Sequence, residues 1–222
     1  MSGPTTTPFI TRDGSSTLFS LRYKAHYHSS FGAVTESEHV FVNAGLGAAT
    51  HKNIWLLEVG FGTGLNAALA AAYAQANGIS LHYQALELHP LPNPELDELN
   101  YPKLLPAPAA HFWNAIRIAQ WGKSVNVSEG FSITKYNTDF VEWQPEAKYH
   151  VIFFDAFAPN DQPEMWTPTQ FRKLFEALHP GGVLTTYCVK GLVKSALAGV
   201  GFRIERLPGP PGKRHILRAR KD

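Results

Sequence analysis

Cysteine is almost absent. Cys188 is the only one in 222 residues, so no intrachain disulfide forms and no oxidising compartment is required. Its apolar neighbours mark it as a buried strand residue rather than a nucleophile. No run of about 18 apolar residues occurs, which argues against a membrane-spanning helix. The first residues, with Pro4 and the threonines at 5–7, lack the basic and apolar blocks of a secretory signal. A cytoplasmic location is therefore the expectation. No CxxC or HExxH framework backs the histidines, so no metal is expected. No stretch is rich enough in Gly, Ser or Pro to act as an interdomain linker. With 44% hydrophobic residues, the chain suits one domain with a sizeable core.

An excess of charge is also missing overall, since the net charge is only +2. Its distribution is uneven. From Lys190 onward nine basic residues face only Glu205 and Asp222, a net +7 over 33 residues, which leaves −5 for the rest. That asymmetry suits a polyanionic partner, and it equally suits a solvated basic surface.

What the chain does have is alternation. Phe9–Thr11 and Thr17–Ser20 flank Asp13-Gly14 and read as a hairpin. Residues 1–50 are read as a β-rich N-terminal extension and 51–222 as one Rossmann-like folding unit. From Ile54 strands and helices alternate, the pattern of an α/β fold with a mostly parallel sheet. Strands are predicted at 54–57, 79–88, 131–136, 151–154 and 183–189. Helices are predicted at 65–76, within 91–105, at 109–121, at 167–178 with Thr167 as cap and Pro168 in the first turn, and at 192–198. Residues 201–206 and 215–219 close the fold as an antiparallel hairpin around Pro208–Gly212.

The most informative run is IWLLEVGFGTGLN, residues 54–66. An unbroken apolar strand ends at Glu58, and Gly60, Gly62 and Gly64 follow before an alanine-rich helix. A dinucleotide fingerprint places its third glycine where this chain has Leu65. The glycines alone are also what a tight strand-to-helix turn needs. Four strands end on or near an acid, at Glu58, Glu87, Asp139 and Asp155, and each acid alone is an ordinary turn or cap residue. In open α/β sheets ligands lie beyond these strand ends.

The E-x-G-x-G-x-G spacing resembles the S-adenosylmethionine loop of Rossmann-like methyltransferases, and the terminal hairpin is the layout of their class I. The DAFAPNDQPEMW segment that opens at Asp155 resembles, together with EVGFGTGLN, the methyltransferase domain of the MnmC family of bifunctional tRNA wobble-uridine modification enzymes. Glu38–Val42, Leu86-Glu87, Trp166-Thr167, Pro180–Gly182 and Gly212–Arg214 fit the same pattern. The FAD-dependent oxidase domain of the fused members has no counterpart here, so the chain is similar to the stand-alone members.

That resemblance implies methylation of the exocyclic amine of 5-aminomethyl(-2-thio)uridine in tRNA, with S-adenosyl-L-methionine as cofactor. Glu58, Gly60, Gly62, Gly64, Asn66, Glu87 and Asp139 are expected to hold the cofactor. Glu58 would face its amino acid tail, Glu87 its ribose and Asp139 its adenine. Asp155 is expected to serve the amine, and Phe157 and Trp166 to wall the base site. Lys213 and Arg214, with Arg218, Arg220 and Lys221, are expected at the tRNA phosphates, with weak, salt-sensitive binding. The histidines at 26, 28 and 39 read as part of a lid or of a hydrogen-bonded surface strand. Three other readings remain open. They are a methyltransferase acting on a small-molecule or protein amine, a non-catalytic nucleoside- or RNA-binding module, and a dinucleotide oxidoreductase, the last opposed by Leu65 and Glu58.

Overall fold

A computed structural model of the chain describes residues 5–222. β1 (Thr6–Ile10) and β2 (Ser16–Ser20) form the expected antiparallel hairpin, and β3 (Ala25–His26) adds a third strand. α1 (Ala33–Ser37) then continues into a π-helical stretch, Glu38–Asn43, and a 3-10 turn, Leu46–Ala48. The second half of the extension expected to be β-rich is thus helical. Val40, Phe41 and Val42 are buried in succession, which a strand facing solvent on one side does not allow.

The main unit follows as β4 (Asn53–Val59), α2 (Leu65–Ala76), β5 (Ser80–Glu87), α3 (Asn93–Asp97), α4 (Tyr101–Leu104) and α5 (Ala107–Ile118). It continues with β6 (Ser124–Ser128), β7 (Phe131–Asn137), β8 (Tyr149–Phe154), α6 (Pro168–Ala177), β9 (Leu178–Thr186), α7 (Gly191–Gly199), β10 (Arg203–Pro208) and β11 (His215–Arg220). The strands make one eight-stranded sheet in the order β10-β11-β9-β8-β4-β5-β7-β6. β9, β8, β4, β5 and β7 are mutually parallel, while β6, β10 and β11 run antiparallel to their neighbours. β6 is an edge strand that the sequence pattern does not announce. It pairs with β7 through a register shift between Asn126 and Ser128.

Period-2 alternation sends successive residues to opposite cores. Leu56, Phe153, Val183 and Ile216 join α2, α5 and the π-helical stretch on one face. Leu57, Phe154, Leu184 and Leu217 join α6 and α7 on the other. Buried on both faces, these strands read as the unbroken apolar runs seen in the sequence. α2 lies between the sheet, α5 and the π-helical stretch. Its alanines let three neighbours approach at once, and Ala67, Ala68, Ala70, Ala71 and Ala74 are all buried. Thr167 caps α6, accepting from the Gln170 amide with Pro168 in the first turn, as expected. The strand order reverses between β4 and its neighbours β5 and β8, and a crevice opens at the carboxyl ends of these strands.

Candidate active site

The crevice is a cleft of about 290 Å³. Its floor is the turn after β4. The amides of Gly60 and Phe61 both donate to the Leu86 carbonyl at 3.1 Å, and the Asp155 amide donates to Val59 at 2.9 Å. The ends of β4, β5 and β8 are thereby tied together. Gly60 has φ +90°, and a Cβ there would lie 2.6 Å from the Asp155 carbonyl oxygen. Gly64 has φ +76° as the residue before α2, where a Cβ would meet the Phe61 ring at 2.9 Å. Gly62 also has positive φ, with the Tyr27 ring beside it. No L side chain adopts these turns without strain, so the loop presents bare main chain.

Glu87 leaves the end of β5 and lines the cleft. Its Oε2 accepts from the Gly62 amide at 3.0 Å and its Oε1 from the His89 amide at 2.8 Å. Asp139 lines the cleft as well, with Oδ1 accepting from the Val141 amide at 2.8 Å. Glu58 departs from expectation. It is fully buried beneath the loop and does not face the cleft. Strand parity turns it toward the start of α2, where Asn66 Nδ2 donates to its Oε1 at 2.9 Å. Its Oε2 and the Tyr83 hydroxyl have no hydrogen-bond partner among the described residues. Burial, with Asp155 and Glu87 nearby, pushes the Glu58 carboxyl well above the usual carboxylate range.

Asn66 joins this buried acid to the cleft. The same Nδ2 donates to Asp155 Oδ2 at 2.8 Å, so one amide group bridges two carboxyls. Asn66 Oδ1 is buried without a partner among the described residues. Burial and the charge of Glu36 push Asp155 up to about 7, against the pull of Asn66 and Lys213. A carboxyl so placed changes protonation near neutrality, where a general base is most useful.

The roof comes from the N-terminal extension, where the histidines suggested a lid but Tyr23 and Tyr27 carried no signal in the sequence. Tyr23 stacks on Phe157 with centroids 4.4 Å apart, and Tyr27 meets the same ring edge-on at 5.0 Å. His28 is buried. Thr17 Oγ1 lies 2.9 Å from its Nδ1, and burial pushes its pKa down to about 4. His26 instead packs against Phe9 and Phe19. The two histidines therefore do not act as a pair. No group of three or more potential metal-ligating side chains occurs among the described residues.

Three expectations change. Trp166 does not wall the cleft. It is 3% exposed in the core beneath α6 and α7, and its indole donates to the Phe157 carbonyl at 2.8 Å, positioning the ring that does line the site. Lys213 does not point out toward a polyanion. It turns into the cleft, where it pairs with Glu36 and lies 4.1 Å over the Tyr187 ring. Arg218 and Arg220 pair with Glu205, and Lys221 donates to the Phe175 and Leu178 carbonyls. Arg214 remains exposed, and His215 beside it also feels Arg206 and Lys194. The outward basic surface thus combines α7, β10 and the hairpin tip.

Residues 123–222 match the model of a family described as S-adenosyl-L-methionine-dependent methyltransferase. Curated relatives match over almost the whole chain. The Thiobacillus denitrificans "tRNA 5-methylaminomethyl-2-thiouridine biosynthesis bifunctional protein MnmC" is 33% identical over 94% of this chain and 35% of its own. The protein of the same name from Azoarcus sp. is 32% identical over 92% and 34%. The chain spans about a third of the length of these relatives. Among solved structures, MNMC2 from Aquifex aeolicus superposes with a TM-score of 0.80 at 24% identity, covering 98% of this chain and 71% of the other. Spermidine synthase from Thermotoga maritima shares the fold at a TM-score of 0.59 and 12% identity. The glycine loop, the acid-tipped strands, the terminal hairpin and the MNMC2 superposition give the chain the class I methyltransferase fold; residues 123–222 match an S-adenosyl-L-methionine-dependent methyltransferase family, and nearly the whole chain is similar in sequence to one segment of the MnmC proteins.

Proposed function

We propose that this protein methylates the exocyclic amine of 5-aminomethyl(-2-thio)uridine at the tRNA wobble position. The observation that carries the reading is Asp155. It stands at the end of β8 beside the glycine loop, is oriented by Asn66, and titrates near neutrality. The names of the MnmC relatives supply the substrate.

The residues present fit the cofactor. Gly60, Gly62 and Gly64, all at positive φ, present bare main chain, the carboxylates of Glu87 and Asp139 border the cleft, and Asn66 Oδ1 is buried without a partner among the described residues. When bound, S-adenosyl-L-methionine supplies an electrophilic methyl carbon on a cationic sulfur. The chain's own work is then positioning and proton management. Asp155 accepts the proton that the amine must lose, at the Oδ atom not held by Asn66. Phe157 and Tyr23, stacked on each other where they line the cleft, offer an aromatic wall for the uracil. Lys194, Arg206 and Arg214 provide the phosphate-facing surface. Residues 5–50 act as an extension roofing the site rather than as a separate domain. The natural location is the cytoplasm, where tRNA is found; no helix among the described residues is long and apolar enough to cross a membrane.

The test is transfer of labelled methyl from S-adenosyl-L-methionine to tRNA from cells lacking this gene. Label is expected in a methylaminomethyl-uridine nucleoside, with a fall of at least about 10²-fold in Asp155→Ala. Cofactor binding without label in tRNA would redirect the assignment to small-molecule or protein amines. Cofactor binding with no transfer to any amine would leave a binding module.

A further inference from the structure

The cleft is almost entirely of one sign. Carboxylates enter it from Glu36, Glu87, Asp139, Asp155, Asp161 and Glu164, and Lys213 is the one lysine or arginine among the described residues that line it. Three of these acids have partners that suit a negative charge. Glu87 accepts from two backbone amides and Asp139 from one, and Glu36 pairs with Lys213. Glu58, sealed beneath the glycine loop, has no such support. It is 0% exposed, and no lysine, arginine or histidine pairs with it among the described residues. No amide from the first turn of α2 reaches it either, so the Asn66 side chain is its one hydrogen-bond donor. A carboxylate in that position would lose its hydration for little in return, whereas a neutral carboxyl loses far less.

That one donor is also shared. Asn66 Nδ2 carries two hydrogens, and they go to Glu58 Oε1 at 2.9 Å and to Asp155 Oδ2 at 2.8 Å. The two acceptor oxygens are therefore less than about 6 Å apart, where like charges oppose each other strongly in a dry interior. One neutral amide cannot offset two negative charges, so one carboxyl keeps its proton. Asp155 lines the cleft and has an oxygen free of Asn66, while Glu58 is enclosed. A proton on Glu58 also accounts for two orphaned atoms. Its Oε2 and the Tyr83 hydroxyl are buried without partners, and the hydroxyl faces that carboxyl. Protonated, Oε2 donates toward Tyr83 while Oε1 accepts from Asn66. On the reading above, in which Asp155 serves an amine, we infer that Glu58 is a positioning residue that stays protonated while Asp155 ionises, aiming Asn66 at the reacting carboxyl without adding a charge beside it. The acid that precedes the three glycines thus acts from behind the loop, on the base rather than on the cofactor's amino acid tail.

The groups that face Glu58 are Tyr83 and Glu87 from β5, Asn66 from α2 and Asp155 beyond β8. Glutamine mimics a protonated glutamate, with an acceptor on one side and donors on the other. Glu58→Gln therefore separates a neutral acid from a charged one. In the whole protein, free of cofactor and RNA, both carboxyls are followed by carbon NMR titration, assigned through Glu58→Gln and Asp155→Asn. The Glu58 signal should keep its protonated position from about pH 5 to about pH 8, where an ordinary glutamate is ionised. The Asp155 midpoint should stay in place in Glu58→Gln. A charged Glu58 would titrate below about pH 6, and its replacement by glutamine would lower the Asp155 midpoint by about one pH unit. Either result overturns the proposal. In methyl transfer, Glu58→Leu should lower kcat roughly 10-fold or more with little change in KM for S-adenosyl-L-methionine, and Glu58→Gln should restore kcat. A raised KM with kcat intact would put Glu58 on the cofactor and also overturns it. If Glu58→Leu does not fold, the two titrations decide. If no amine is methylated while both titrations behave as stated, the substrate assignment falls and the protonated Glu58 behind Asn66 stands.

Discussion

Asp155 couples stability to pH as well as serving the amine. Its carboxyl is raised in the folded state from 3.8 to about 7. The folded protein therefore holds this proton more tightly than the unfolded chain. The stability tied to that proton is fully present below about pH 4 and is lost as pH rises through 7. Asp155→Asn removes the loss. Its stability advantage over the parent should grow between pH 4 and 7 and level off above, as measured by urea unfolding across that range. A shift of this size corresponds to about 4 kcal/mol. Because the carboxyl borders an open cleft, about half of that is expected. A constant difference across pH would show that Asp155 is not shifted. At this scale the site was only partly legible in the sequence. The positions of Glu87, Asp139, Asp155 and the three glycines at the cleft, though not their roles, were readable because each sits at a strand end or turn that the local pattern defines. Glu58 was misplaced, since its distance from the glycines does not reveal which way strand parity turns it. Glu36 and Tyr187 were invisible, because the partner that brings them into the cleft is remote in sequence.

Helix caps and strand runs were the legible elements. The α6 start was readable from Thr167-Pro168, and the cap contributes through a single rather long bond, 3.4 Å from Gln170 N to Thr167 Oγ1. Thr167→Ala should cost about 0.5–1 kcal/mol, seen as a lower thermal midpoint, while Thr167→Ser should cost little. A drop well beyond this range would mean that Thr167 does more than cap. The parallel strands were found because burial on both faces writes an unbroken apolar run into the sequence. β6 was missed because an edge strand needs no such run, and its pattern is largely exposed and polar. The π-helical stretch Glu38–Asn43 fell within the part expected to be β-rich, since a widened turn has neither the 2.0 nor the 3.6 period that sequence reading relies on. The short helices α3 and α4 divide a proline-containing segment expected to hold one.

Across the whole molecule, charge is sorted into an acidic cleft and a basic outer surface around α7, β10 and the hairpin tip. Joint replacement of Lys194, Arg206 and Arg214 by glutamate should raise KM for tRNA several-fold while leaving kcat nearly unchanged. It should also flatten the logarithmic salt dependence of binding by about 0.7–0.9 for each phosphate no longer neutralised. Unchanged KM would move the RNA surface elsewhere. The hairpin that carries part of this surface also closes the cleft onto the N-terminal extension. His39 Nε2 bonds to the Pro208 carbonyl across 169 positions, and Arg218 bonds to Ala44 across 174. These contacts close loops that run through nearly the whole chain, so they form only once residues beyond 200 are present. During synthesis, a nascent chain halted at residue 200 would already hold the glycine loop and Asp155. It would have no lysine to set against the acids. Such an intermediate would present a cleft of purely negative charge, able to gather cations before it can use them.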